Sequence, residues 1–428
     1  MVAFAAILVV GVIGRNPMDP VDPVDEAAVL AYARTQGNKT FREPAGDLKY
    51  PYLVPSGYYQ QLWDWDSMLT GTALLSIGSA PYLAGSMKNF LAAVNTSDGM
   101  VKGCLTPHGA SPAIYHAKPV LIQGAWIAAT AQDDYDQFRP FLPQMEALDR
   151  YWETISKDPR TGLFTWHDQL ESGCDNLVTS QCPSPYGGGP PENSSCWLES
   201  DAYTLASSDI QVWMYREKVA LARFLARFGR PTIAREMSDS AANLQAAVQT
   251  HLWDNTKGVF TAYNTSSQAH IYAKTHLLAF PVFAGRSIVS PRQVTAAWNA
   301  VSAPDMLSVY GIRSASASDP RYTNADYVTP YSNWRGPIWI NTNALIAYGL
   351  ASANLTAAAL DVAGRLIRVL AKGLHEDPEG ANAGTAWREC YNSDTGAGLA
   401  APGFLNWNTL AAFLPANIRA RVNPFQIV

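Results

Sequence analysis

Two short stretches place carboxylates in company that suits acid/base chemistry. Glu171-Ser172-Gly173-Cys174-Asp175-Asn176 sets Asp175 in a small polar loop. Far downstream, Arg388-Glu389-Cys390-Tyr391-Asn392-Ser393-Asp394-Thr395-Gly396 sets Glu389 in a similar one. Cleavage of a glycosidic bond needs such a pair. One acid protonates the leaving oxygen, and one base activates water on the other face of the sugar. Within Phe164–Asn176, Asp168 and Glu171 compete with Asp175 for the acid role. A general acid needs a pKa raised by partial burial, and residue type alone leaves the three open.

Aromatic residues surround these carboxylates. Tyr58-Tyr59-Gln60-Gln61-Leu62-Trp63-Asp64-Trp65-Asp66 holds four aromatics and two carboxylates. Indole faces pack on sugar rings while a carboxylate accepts hydrogen bonds from vicinal hydroxyls. The plain alternative is a helix start, with Asp66 capping Ser67–Ser76. In Ala117-Lys118-Pro119-Val120-Leu121-Ile122-Gln123 the amide of Gln123 falls in the first turn of a helix, where it suits hydroxyl recognition or is an ordinary exposed side chain. Tyr331–Asn341 carries Trp334, Arg335 and Trp339 around a Gly-Pro turn. Arg335 could hold a hydroxyl, orient a catalytic carboxylate, pair with a substrate carboxylate, or form an internal ion pair. The Glu389 loop is closed by Phe404-Leu405-Asn406-Trp407.

Composition bounds the class. The 428 residues are 48% hydrophobic and 16% charged, as expected of a globular chain. The net charge of −5 argues against nucleic acid as a partner. Thirteen Trp and twenty Tyr fit either a large aromatic core or a sugar site. The five cysteines form no CxxC or regular framework, although Cys182 and Cys196 could bridge the loop between them. No HExxH, GxSxG, phosphate loop or dinucleotide fingerprint is present, so neither a metal nor a cofactor is expected. Met1–Gly14 is apolar but too short to span a bilayer, and lacks the basic start of a signal peptide. With five N-x-[ST] sequons it weakly favours secretion; a cytoplasmic protein with a buried N-terminal segment is the other reading. No other membrane segment is expected, and homo-oligomerisation stays open.

The elements that must position these groups are helical. Apolar spacing predicts a helix beginning near Asp25, then helices over about Ser67–Ser76, Pro81–Val94, Val120–Ala129, Phe138–Ile155, Asp209–Phe228, Ile233–Leu252, Pro291–Val301, Thr342–Leu350, Leu355–Leu370 and Trp407–Phe413. Leu355–Leu370 reads as apolar all round, hence as an inner helix under a second layer. Few segments alternate with period two, so the class is mainly α. Long loops rich in Gly, Pro, Asn and aromatics separate the helices, and loops of such length are usually functional. The segment 1–24 reads as a signal or an arm, and 25–428 as one catalytic domain.

WDWDS (Trp63–Ser67), ESGCDN (Glu171–Asn176), NWRGPIW (Asn333–Trp339) and ECYNSDTG (Glu389–Gly396) together resemble glycoside hydrolase family 63. The likeness runs from about Tyr58 to Trp407 and is strongest to the compact mannosylglycerate hydrolases. It implies an (α/α)6 barrel, a small-molecule glycoside as substrate, no metal, and inversion at the anomeric carbon. Carried onto this sequence, it implies Asp175 as general acid and Glu389 as general base. It places Tyr59, Trp63, Trp65, Asp66 and Gln123 around the sugar, with Trp334 and Trp339 as an aromatic wall beside Arg335. Trehalase or other α-glucosidase activity of the same clan, an epimerase or isomerase, and a non-catalytic sugar binder are the alternatives. Cys174, Asn333 and Cys390 depart from the usual Trp, Tyr and Asn of the family. Arg335, Arg313 and Lys118 stand unranked as anchors for a glycerate carboxylate, and the loop Cys182–Cys196 could form a lid over the aglycone.

Overall fold

The structure, a computed structural model, describes residues 20–57, 59–109, 115–167, 169–179, 204–326 and 332–427. Segment 1–19, Asp168 and the Cys182–Cys196 loop lie outside them. Thirteen α-helices occur among the described residues. The first, α1 (Pro23–Gln36), starts where the Asp22 side chain accepts the N–H groups of Val24 and Asp25. Pro23 costs nothing there, because the first turn has no carbonyl for its N–H to reach. Then follow α2 (Asp64–Ala73), α3 (Ala80–Ala93), α4 (Leu121–Gln132), α5 (Leu142–Tyr151) and the short α6 (Gln169–Ser172). The second half contributes α7 (Ser208–Arg227), α8 (Pro231–His251), α9 (Pro291–Val301), α10 (Ile340–Ser352), α11 (Thr356–Glu376), α12 (Pro378–Ala383) and α13 (Asn408–Ala420).

Six inner elements close a ring. Helix α2 packs on α4, α4 on α7, and α7 on the 3₁₀ stretch Phe280–Ser287; that stretch packs on α10, α10 on α13, and α13 back on α2. Each inner element follows an outer helix in the chain: α1, α3, α5, α8, α9 and α11 in turn. The architecture is an (α/α)6 barrel. Inner helices are covered on their sides, so their residues are apolar, small, or polar with partners inside the fold. All ten residues of α2 are buried, as is Ile340–Leu350 of α10.

Two sequence expectations need correction. Helix α11, expected inside, lies in the outer layer. It buries the stripe Ala359, Val362, Ala363, Leu366, Ile367 and Leu370 and exposes Arg368. The inner helices it covers are α10 and α13. The single helix expected over Phe138–Ile155 is broken into a 3₁₀ turn (Asp136–Phe141), α5, and a π-helical turn (Trp152–Ser156). Pro140 has no N–H to continue an α-helix, so the chain changes pitch there.

Strands among the described residues are two or three residues long and serve to pin loops. Leu62–Trp63 pairs antiparallel with Cys104–Leu105, Trp63 opposite Cys104. Cys390–Tyr391 pairs with Gly398–Leu399, forming the hairpin that follows Glu389. Ile338 exchanges both backbone hydrogen bonds with Tyr391, at 2.7 and 3.0 Å. No helix among the described residues is long and apolar enough to cross a membrane.

The ring closes tightly at Gly349 of α10. A Cβ there would lie 2.4 Å from the Val282 carbonyl oxygen of the 3₁₀ stretch. Backbone cannot yield as a side chain does, so Gly349→Ala is expected to cost about 2 kcal/mol or more. Denaturant unfolding measures it; an unchanged midpoint would show that this approach does not set ring closure.

Candidate active site

The loops at one end of the barrel enclose a cavity of about 380 Å³. Its aromatic wall comes from four parts of the chain: Tyr59, Trp63 and Trp65; Tyr115; Trp339; and Phe404 with Trp407. The rings brace one another edge to face. Tyr59 meets Trp63 at 6.5 Å and Phe404 at 5.7 Å, and Trp65 meets Trp407 at 5.9 Å. Among the described residues, three carboxyls face this enclosure: Asp66, Asp175 and Glu389.

Each carboxyl has its own support. Asp66 stands in the first turn of α2, where the helix dipole favours negative charge. The Asn406 amide donates to Asp66 Oδ1, and the Thr70 hydroxyl donates to Asn406 Oδ1. Burial still raises Asp66 to about 7, with neighbouring Asp64 adding to the rise and Lys118 opposing it. Asp175 Oδ2 accepts the Ser332 hydroxyl at 2.6 Å, and Ser332 Oγ in turn accepts the Trp334 indole N–H at 3.0 Å. Glu389 Oε2 accepts the Tyr59 hydroxyl at 3.3 Å. Glu389 opens onto the cavity yet is walled by protein. Burial first, then the charges of Asp66 and Asp175, push it up to about 8, against the pull of Tyr59. Burial and mutual repulsion thus hold Asp66 and Glu389 well above the ordinary carboxyl range, which favours retention of a proton in the set near neutral pH. An acid/base pair requires that.

Of the competing acids, Glu171 is turned away. It is fully buried, accepts the His167 backbone N–H at 2.7 Å and pairs with His167 Nδ1 at 2.9 Å. Asp175 reaches the cavity because Gly173 adopts φ +76°. A Cβ on Gly173 would come within 2.7 Å of the Trp65 ring and 3.0 Å of Lys118 Cε.

Seven of the ten site residues expected from sequence line the cavity: Asp175, Glu389, Tyr59, Trp63, Trp65, Asp66 and Trp339. Gln123, Trp334 and Arg335 are not on its lining. Gln123 points into the core. Its amide donates to the Pro119 carbonyl at 2.8 Å, and its oxygen accepts Arg216 Nε at 2.8 Å. A helix interior that is buried on all sides leaves no open face for a hydroxyl-binding amide. Trp334 lies behind Trp339, the two rings stacked at 3.9 Å, and its backbone N–H is taken by the Asn176 side chain at 2.7 Å. Arg335 donates from Nε to the Asn176 carbonyl at 2.8 Å. Both therefore grip the residue after Asp175. Sequence reading left Tyr115, Ser332, Phe404 and Trp407 out of the binding set, although Ser332 and Trp407 stand within or beside motifs. Lys118, five residues before Gln123, does line the cavity. A lysine among Ala117, Pro119, Val120 and Leu121 was the available signal.

Comparison with known proteins gives the family and the fold. A family model described as "Mannosylglycerate hydrolase MGH1-like glycoside hydrolase domain" matches residues 58–407. The structure of a family 63 mannosylglycerate hydrolase from Thermus thermophilus, in complex with glucose, superposes with a TM-score of 0.69 at 19% identity, covering 89% of this chain and 99% of that one. Neutral trehalase from Saccharomyces cerevisiae superposes with a TM-score of 0.64 at 16% identity, covering 92% of this chain and 82% of that one. Periplasmic trehalase from Citrobacter koseri is 20% identical over 341 residues, 71% of this chain. The chain spans 57% of that relative's length.

Two outcomes test the site's construction. Gly173→Ala is expected to lower kcat/KM by about tenfold or more with the fold retained in circular dichroism, because the added carbon displaces Trp65 or Asp175. The second is electrostatic. Glu389 titrates near 4.5 in the unfolded chain and near 8 when folded. Between those values the folded state binds more protons, so its stability falls as pH rises and levels off above about 8. Glu389→Gln abolishes that slope. It is expected to gain on the order of 2–4 kcal/mol over the wild type at pH 8.5 and almost nothing at pH 4. Equal melting shifts at both pH values would contradict the assignment.

Proposed function

The chain belongs to the mannosylglycerate hydrolase MGH1-like glycoside hydrolase family, and on that footing we propose that it hydrolyses an α-mannosyl or α-glucosyl glycerate with inversion. It is an O-glycoside hydrolase. Asp175 is the general acid, giving its proton to the glycosidic oxygen, and Glu389 is the general base, taking a proton from water on the opposite face. Inversion calls for about 6.5–9.5 Å between the two carboxyls, room for that water. Tyr59, Trp63, Trp65 and Trp339 pack on the sugar, and Asp66 accepts from its hydroxyls. The observation that carries this reading is the enclosure of Asp175 and Glu389 in one aromatic cavity, each with a hydroxyl donor, Ser332 and Tyr59 respectively.

The proton on the carboxyl set must lie on Asp175 for the reaction. Substrate binding favours that arrangement. The glycosidic oxygen accepts from a protonated Asp175, while the Tyr59 hydroxyl and the incoming water stabilise an ionised Glu389. Above about pH 8 the set loses its last proton and no acid remains. At low pH the base is protonated.

A second reading is trehalose hydrolysis. Resemblance to bacterial and yeast trehalases supports it. Product analysis on mannosylglycerate, glucosylglycerate and trehalose separates the two. NMR of the first-formed sugar is expected to show the β-anomer; initial α-anomer would sink the inverting assignment. Asp175→Asn and Glu389→Gln are each expected to lower kcat by about 10²–10⁴-fold. Near-full activity in either variant removes that residue from its role. The kcat/KM profile should be bell-shaped with its alkaline limb near 8. Asp66→Asn should move that limb to lower pH, since it removes one of the charges that raise Glu389.

A further inference from the structure

Lys118 is the one cation among the described residues that line the cavity. Its side chain is only 3% exposed, and its ammonium lies 3.6 Å from Asp64 Oδ1. That is beyond hydrogen-bond reach. Asp64 is already occupied: its Oδ1 accepts the Trp65 backbone N–H at 2.6 Å, and its Oδ2 accepts the Lys118 backbone N–H at 2.8 Å. The ammonium is flanked by the faces of Trp65 at 5.0 Å and Tyr115 at 5.2 Å, which tolerate positive charge without donating a lone pair. No described residue accepts a hydrogen bond from Nζ.

An ammonium taken out of water without hydrogen-bond acceptors is costly, and one loose ion pair offsets only part of that cost. The missing acceptors can come from a ligand. Hydroxyls do not need this cation, because the carboxyl groups of Asp66, Asp175 and Glu389 line the same space. The two arginines Arg335 and Arg313 are engaged elsewhere. Arg335 is bound to the Asn176 carbonyl, and Arg313 to Asp394 at 3.0 Å and the Pro304 carbonyl at 3.3 Å. Neither lines the cavity.

We infer that Lys118 is the specificity-determining cation of this site and binds a carboxylate carried by the substrate. The inference rests on the glycoside-hydrolase reading above and narrows its substrate to anionic glycosides. The carboxylate has two chemical sources: the aglycone, as in a glycerate, or the sugar ring, as in a uronic acid. A neutral disaccharide such as trehalose leaves the ammonium without its acceptors.

Calorimetric titration of the full chain with D-glycerate, glycerol, D-glucuronate and D-glucose tests it. At least one carboxylate is expected to bind about tenfold or more tightly than its neutral counterpart. Which pair shows the difference identifies the source. Lys118→Met and Lys118→Gln are both expected to collapse that ratio towards one; the glutamine variant keeps a polar neighbour for Asp64 should the methionine variant fold poorly. A wild-type ratio near one, or a ratio that survives both substitutions, overturns the proposal. Hydrolysis of α-glucosylglycerate and α-glucosylglycerol is measured alongside. Charge-selective binding without turnover of either would defeat the hydrolase reading and leave the lysine's role standing. Turnover with no charge selectivity would do the reverse.

Discussion

Three carboxyls share one enclosure of low polarity, and their mutual repulsion is the constraint that organises the surrounding structure. Each is held against that repulsion by groups fixed to the barrel. Asp66 is rooted in α2 and bound by Asn406 at the mouth of α13. Glu389 is followed at once by a hairpin, and its own backbone carbonyl accepts the Trp407 indole N–H at 2.9 Å. Asp175 has the least regular chain around it and the most elaborate support.

That support is the clamp on Asn176. Trp334 and Arg335 take its side-chain and backbone oxygens, and the same short segment supplies Ser332 to Asp175 and Ile338 to the hairpin after Glu389. One stretch of chain therefore touches the supports of both proposed catalytic carboxyls. Their placement is therefore tied to one shared segment and not to two independent loops. Inverting chemistry depends on their separation, since the water must fit between base and sugar.

The departures from the family's usual residues fit this frame. Cys174 and Cys390 are buried beside the two carboxyls, and burial pushes both thiols far above their ordinary range. They act as small apolar packing, not as nucleophiles. Asn333 accepts the Arg335 backbone N–H at 2.9 Å and donates to the carbonyls of Thr323 and Ala325 at 2.9 and 3.1 Å. It ties the clamp to the loop that approaches it.

Helix positions and the aromatic-acidic motifs were legible in sequence because both are local. Apolar spacing reports which face a helix buries, and WDWDS, ESGCDN, NWRGPIW and ECYNSDTG carry their chemistry in residue type. Depth in the barrel was local too: α11 carries Asp361, Arg365, Arg368 and Lys372 along one face, as an outer helix does, whereas α10 has no charged residue. Direction was not local. Gln123 and Lys118 stand five positions apart in one stretch, yet the amide turns into the core and the ammonium into the cavity. A buried helix has room for a polar side chain only where another element meets its hydrogen bonds, as Arg216 does for Gln123. The sequence determined which groups were available for acid/base work on a sugar. The tertiary structure decided which of them share a cavity, and hence which carboxyls raise one another's pKa and which cation is left to face a substrate.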